Sequence, residues 1–137
     1  MRVWTPEDYG GAPLVGPIVQ HPRSGFIYAA NGTRILEFDG IRWRGFAAPG
    51  GMLLALAIDA RGRVWFSTTT NVGHLEPDGR GELRAISAQD RLPPADRSVQ
   101  GFGAALATAD GVFFVNRHRV VRFDAGGGAG RHPAATA

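Results

Sequence analysis

Gly25-Phe26-Ile27-Tyr28 returns at an offset of 37 as Gly62-Arg63-Val64-Trp65, and Leu36-Glu37-Phe38-Asp39 returns at an offset of 39 as Leu75-Glu76-Pro77-Asp78. A third copy follows, in which Asp110-Gly111-Val112-Phe113-Phe114 echoes the first element and Val121-Arg122-Phe123-Asp124 the second. Each copy holds an entry strand, a turn with Asp or Gly, an aromatic strand, and a strand that ends in acidic turn residues. A period near 40 with several strands per repeat is the signature of propeller blades, each a four-stranded sheet.

The rest of the chain agrees with this reading. Apolar residues come in bursts of four to six, rich in Val, Ile, Phe, Trp and Tyr, and are punctuated by Gly, Asp, Asn and Pro; no 3.6-residue period persists over a helix-length window. The expected class is all-β, with strands near 17–20, 26–30, 34–38, 41–46, 53–58, 63–68, 72–76, 82–87, 102–107, 112–116 and 118–124. Within Ile35 to Trp43, Asp39-Gly40 between two β-prone runs predicts a two-residue hairpin with positive φ at both turn positions. Ile41 and Trp43 then share one face, and Arg42 and Arg44 the other.

The expected organisation is a lead-in over 1–15, a partial β-propeller over 16–124, and a disordered Gly/Ala-rich tail over 125–137. About two and three-quarter four-stranded blades are expected: 16–47, 53–88, and 101–124 without its last strand. Ala88 to Gln100, with Leu92-Pro93-Pro94, is expected as a loop between blades. Propellers close with about 4 to 8 blades, so this many cannot form a ring. The chain is expected to be a fragment of a longer protein, a unit that assembles with other copies, or a truncated product.

Composition narrows the chemistry. The 137 residues suit one folding unit. There is no cysteine, which removes disulfides, thiolate zinc sites and cysteine nucleophiles. The four histidines, His21, His74, His118 and His132, are far apart and show no metal-ligand spacing, so no metal and no cofactor are expected. All 15 basic residues are arginine, interleaved with 12 acidic ones for a net charge of +3. The groups Arg42 and Arg44, and Arg117, Arg119 and Arg122, read as solvated faces rather than the basic stripe of a nucleic-acid binder, and no nucleic-acid partner is expected. No run of about 18 apolar residues is present and the first residues lack the apolar stretch of a secretory signal, so direct membrane insertion is not expected and the compartment stays open.

The run Thr5-Pro6-Glu7-Asp8-Tyr9-Gly10, then Ile27 to Gly32, Leu36 to Trp43, Leu56 to Trp65, Gly73 to Asp78 and Asp110 to Phe114, resembles the amino-terminal part of the two-component regulator propeller family. The resemblance covers roughly residues 5–124. It implies a non-catalytic, ligand-binding sensor segment of a bacterial two-component signalling protein, extracytoplasmic in the parent family. It departs at Leu14-Val15-Gly16, where a more polar, Trp-containing stretch would be expected.

Two other readings stand beside it. Gly62 to Ser67 followed by Val72-Gly73-His74-Leu75 also resembles the blades of streptogramin lyases, which implies a metal and a histidine base on the central axis; His74 otherwise reads as a partly buried strand histidine. A self-associating scaffold, using blade edges and the apolar faces of Trp43, Trp65 and Phe113, is the third reading. Asp59, Gly62 and Trp65 approach the Asp-box of sialidases, with one residue too many between Asp and Gly, and are expected to serve folding.

No catalytic residue and no kinase motif is assigned. Expected partners are a small molecule or a protein bound through the completed propeller, with a homo-oligomer as an option. Asn31, Arg34, Asn71 and Arg117, at strand ends and loops, are the ligand-binding candidates.

Overall fold

The computed structural model describes residues 1–11, 16–124 and 129–132, the last four as backbone. Among the described residues the chain is all-β apart from one four-residue helix, α1 (Pro6–Tyr9), and two 3-10 turns at Gln89–Arg91 and Pro94–Asp96 in the loop expected between blades. Its strands form three antiparallel four-stranded sheets, each a simple meander. The first contains β1 (Ile18–Gln20), β2 (Ile27–Asn31), β3 (Arg34–Phe38) and β4 (Trp43–Ala47). The second contains β5 (Leu53–Ile58), β6 (Val64–Thr68), β7 (Val72–Pro77) and β8 (Leu83–Ser87). The third contains β9 (Ala104–Thr108), β10 (Gly111–Val115), β11 (Val120–Asp124) and β12 (Ala129–His132). Among the described residues no helix is long and apolar enough to cross a membrane.

The strands expected from sequence are all present, with ends within two residues. Two expectations are corrected. The third sheet has its fourth strand: β12 pairs with β11 from Val120↔His132 to Phe123↔Ala129, inside the stretch expected as a tail. The turn at Asp39-Gly40 is not a two-residue hairpin, because the ladder closes at Phe38↔Trp43 and leaves four residues in the loop. Gly40 alone of the Asp-Gly pair takes positive φ, at 101°. The Asp39 carboxylate accepts the N–H groups of Ile41 and Arg42 at 2.8 and 2.7 Å, so a side chain replaces the tight backbone turn. Ile41 consequently lies outside the strand and is 86% exposed.

The two repeat offsets, 37 and 39, are both real. Tyr28 pairs with Glu37 across β2 and β3, and Trp65 with His74 across β6 and β7, which keeps the offset of 37. Beyond these matched positions β7 runs two residues further than β3 before its acidic turn, and the acidic turns at Asp39 and Asp78 are 39 apart. The two added residues are one pleat, so the faces are preserved.

Cohesion comes from two inter-sheet cores. Between the first and second sheets lie Tyr28, Ala30 and Ile35 from one side and Leu56, Val64, Phe66 and Leu75 from the other. Between the second and third lie Ala57, Trp65 and Val72 against Val112, Phe114, Val121 and Phe123. Alternation along β6 sends Val64 and Phe66 one way and Trp65 the other, so the middle sheet is apolar on both faces. Phe66, with no exposed surface, is at the centre of the first core.

The turn at Asp59 confirms its folding role. Its Oδ1 accepts the N–H groups of Arg61 and Arg63, both at 2.9 Å, and its Oδ2 accepts the indole N–H of Trp65 at 2.9 Å. Gly62 supplies the positive φ, 86°, that the turn requires. The corresponding turn of the first sheet uses His21: its Nδ1 accepts the N–H groups of Arg23 and Ser24 at 3.1 and 3.2 Å. The ring proton is then on Nε2, which donates to the Gly62 carbonyl at 3.1 Å and ties the two turns together.

The N-terminal segment packs on the outer face of the first sheet. Thr5 caps α1 through the Asp8 carboxylate, which accepts the Thr5 N–H at 2.7 Å and its hydroxyl at 3.0 Å. The Trp4 ring meets Phe38 edge-on at 5.1 Å, and Tyr9 meets Trp43 at 5.6 Å.

Candidate functional site

The first strands of the three sheets, β1, β5 and β9, converge on one cleft of about 400 Å³. Its walls are Val19 and Gln20 from β1, Leu56 and Ile58 from β5, and Ala105 and Ala107 from β9. The alanines of β9 leave space that larger side chains would fill. The cleft is apolar apart from the Gln20 amide, whose Nε2 donates to the Gly25 carbonyl at 3.2 Å. Such a surface can take up an apolar group and orient it through one amide, a common composition for a small-molecule site.

The four sequence candidates are elsewhere. Asn31 and Arg34 flank the β2–β3 turn, Asn71 closes the β6–β7 turn, and Arg117 is in the β10–β11 turn. Together they mark the turn between the second and third strands of all three sheets, Asn31 and Arg34 sharing that of the first, and none lines the cleft. Asn31 is buried. Arg34 donates from Nη1 to the Gly10 carbonyl at 3.3 Å, holding the end of α1. Asn71 donates from Nδ2 to the Thr70 hydroxyl at 3.4 Å and accepts the Ser87 hydroxyl at Oδ1. Arg117 is exposed beside Asn116, whose Oδ1 shapes the turn by accepting the N–H groups of His118 and Arg119 at 2.8 Å. The structure thus gives turn-building roles to residues around these positions and places the cleft on strands that the sequence offers only as apolar runs.

His74 is on β7, the third strand of its sheet, and not on a cleft-lining strand. It is 3% exposed. Its ring meets Trp65 edge-on at 4.8 Å, and its Nε2 is 3.2 Å from Nη1 of Arg91. Since guanidinium only donates, Nε2 accepts and the ring proton is on Nδ1. Nδ1 has no hydrogen-bond partner; the nearest carboxylate, Glu76, is 3.8 Å away. Arg91 in turn lies over the rings of Trp65 and Phe123, both at 5.5 Å.

Burial, then the charge of Arg63, push the His74 pKa below its ordinary 6.5, with Arg91 acting in the same direction. The unfolded chain therefore binds a proton that the folded chain resists. Stability is held above the ordinary value and declines as pH falls below it. The urea midpoint should drop between about pH 7.5 and about pH 5.5, and His74→Leu should flatten that slope. An unchanged slope in the variant would assign the pH response to other groups.

Among the described residues no group of three or more His, Asp or Glu could hold a metal ion. No family model matches the sequence, and no curated protein matches it. A solved structure, that of a streptogramin B lyase, superposes with a TM-score of 0.59 at 13% identity, covering 89% of this chain and 41% of the lyase chain. The chain thus spans less than half the length of that relative. At this identity the likeness is one of architecture, and together with the three meander sheets it makes the protein a propeller-like all-β fold.

Proposed function

We propose that the chain is a non-catalytic, ligand-binding segment of a propeller sensor of the bacterial two-component type. The supporting observation is the apolar cleft where β1, β5 and β9 converge. Three separate sheets contribute to it, so an occupant bridges all of them and its binding can alter how the sheets sit together. The ligand class that fits is a small apolar molecule with one hydrogen-bonding group for Gln20.

The test fills the cleft. The fluorophore 1-anilinonaphthalene-8-sulfonate, an anion whose aromatic rings enter apolar surfaces, should bind the folded chain saturably, and Ala107→Phe should weaken it about tenfold by occupying the space beside Ala105. Binding of equal strength in the variant would place the dye elsewhere and sink the reading.

A second reading, a lyase-like enzyme, is favoured by the solved neighbour. A streptogramin B is then the substrate to try, and His74→Ala the variant. The position of His74, between the second and third sheets and bonded to Arg91, gives it no route to the cleft without rearrangement.

A further inference from the structure

A second pocket lies between the first and second sheets, at the end where the chain turns from β5 to β6 and from β7 to β8. Its volume is about 210 Å³, and it shares no lining residue with the cleft. Tyr28 of the first sheet and Val64, Leu75 and Leu83 of the second form its apolar walls, while Arg61 and Arg63 border it on either side of Gly62. The Tyr28 hydroxyl donates to Glu37 at 2.7 Å, so its ring is what remains for the pocket.

The border is cationic. Arg61 and Arg63 are exposed, and among the described residues neither guanidinium forms an ion pair. Arg23 joins them from the β1–β2 turn, where its Nη2 donates to the Ala60 carbonyl at 3.1 Å. Three arginines thus gather on one turn whose own carboxylate is engaged: Asp59 accepts the N–H groups of Arg61 and Arg63 on Oδ1 and the Trp65 indole on Oδ2. In the β7–β8 turn, Asp78 is likewise taken up by the N–H groups of Arg80 and Glu82, at 2.7 and 3.1 Å. Burial, and then the charge of Arg63, lower the pKa of both His74 and Arg91, and in both the effect of Arg63 exceeds the opposing effect of Glu76. Alternation along β6 sends Arg63 to the side of Trp65 and leaves Arg61, in the turn itself, to reach over the pocket. Arg63 adds to the positive potential there.

We propose that this pocket is a further binding site, for a small organic anion that carries one carboxylate on a compact apolar body. The walls take the body, and the fork of N–H donors on Arg61 takes the carboxylate. A volume of about 210 Å³ suits a single ring with a short arm, and is too small for the three rings of the dye used on the cleft. The occupant touches Tyr28 in the first sheet and Leu75 in the second, so binding holds those two sheets together. The site is independent of what the cleft binds.

Phenylacetate tests it against phenylacetamide, which has nearly the same shape and no charge, in titrations followed by ligand-observed nuclear magnetic resonance. The acid should bind about tenfold more tightly than the amide, and raising salt from about 0.05 M to about 0.5 M should narrow that gap. Arg61→Gln should weaken phenylacetate about fivefold and leave the amide unchanged. Leu83→Phe, by filling the pocket, should weaken both, and Ala107→Phe in the cleft should change neither. If Leu83→Phe loses its near-ultraviolet circular dichroism, the Arg61 variant decides alone. Failure of phenylacetate to bind, equal affinity for the amide, or indifference to Arg61→Gln overturns the proposal. A loss of binding in Ala107→Phe does so as well, by placing the anion in the cleft.

Discussion

Trp65→Ala should cost the fold about 3 to 5 kcal/mol, the largest effect expected of any single substitution on the inter-sheet cores. The indole is 2% exposed and occupies the joint between the second and third sheets. Its ring lies 5.0 Å from Phe123 and 6.3 Å from Phe114, and the Arg91 guanidinium covers it at 5.5 Å. Removing it leaves a void in a joint formed by few other large side chains of the second sheet, since Ala57 and Val72 are small. It also strips the Asp59 carboxylate of one of its three donors. Against a total stability of about 5 to 15 kcal/mol, such a loss moves the urea midpoint by about 2 M or unfolds the third sheet outright. Trp65→Phe separates the contributions: it keeps the ring contacts, loses only the bond to Asp59, and should cost about 1 kcal/mol beyond its change in volume. A loss under about 1 kcal/mol for the alanine variant would mean that the second and third sheets are held by something other than this joint.

The strands were legible because β-structure writes itself into sequence locally. Alternation and β-branched content mark β2, β6 and β10 whatever they pack against, and the Asp59 turn announces its carboxylate and its glycine in order. What escaped depends on partners distant in the chain. Ala129-Gly130-Arg131-His132 has little β-propensity of its own and becomes β12 by completing the ladder with β11. The Asp39 turn misled because Asp-Gly suits two turn types. The backbone prefers the tight one, but the Asp39 carboxylate captures two N–H groups and selects the longer loop.

The cleft escaped for a related reason. Leu56, Ile58, Ala105 and Ala107 read as ordinary core strands, and only the convergence of three sheets turns their outer edges into a concave surface. Polar residues at turns, by contrast, look like ligand contacts in sequence. Asn71 shows what they do instead, with both ends of its amide engaged to neighbouring hydroxyls. On a scaffold with this many tight turns, much of the Asn and Asp content is used in shaping the backbone.

The polar group buried in the first sheet gives the second large effect, and its sign depends on what is removed. The Glu37 carboxylate, 2% exposed, accepts the Tyr28 hydroxyl at 2.7 Å on Oε2 and Arg44 Nε at 2.9 Å on Oε1. Arg44 is half exposed and adds a second bond from Nη2 to the same oxygen. Burial, then the bond to Glu37, raise the Tyr28 pKa well above its ordinary 10.0, so the hydroxyl stays protonated and continues to donate. Glu37→Ala leaves that hydroxyl buried without its acceptor and opens a void beside it, and should cost about 3 kcal/mol. Arg44 contributes little of this loss, because water can reach it.

Tyr28→Phe should cost about 1 to 2 kcal/mol, since Arg44 still neutralises the carboxylate. The double variant Tyr28→Phe with Glu37→Leu removes both buried polar groups and refills the space. It should be more stable than Glu37→Ala alone, and its cost should fall below the sum of the losses of Tyr28→Phe and Glu37→Leu made singly by about 1 kcal/mol or more. Additive losses in that cycle would mean that Tyr28 and Glu37 are stabilised independently. The coupling would then be absent from the sheet, and the burial of this carboxylate would need a cause other than the tyrosine opposite it.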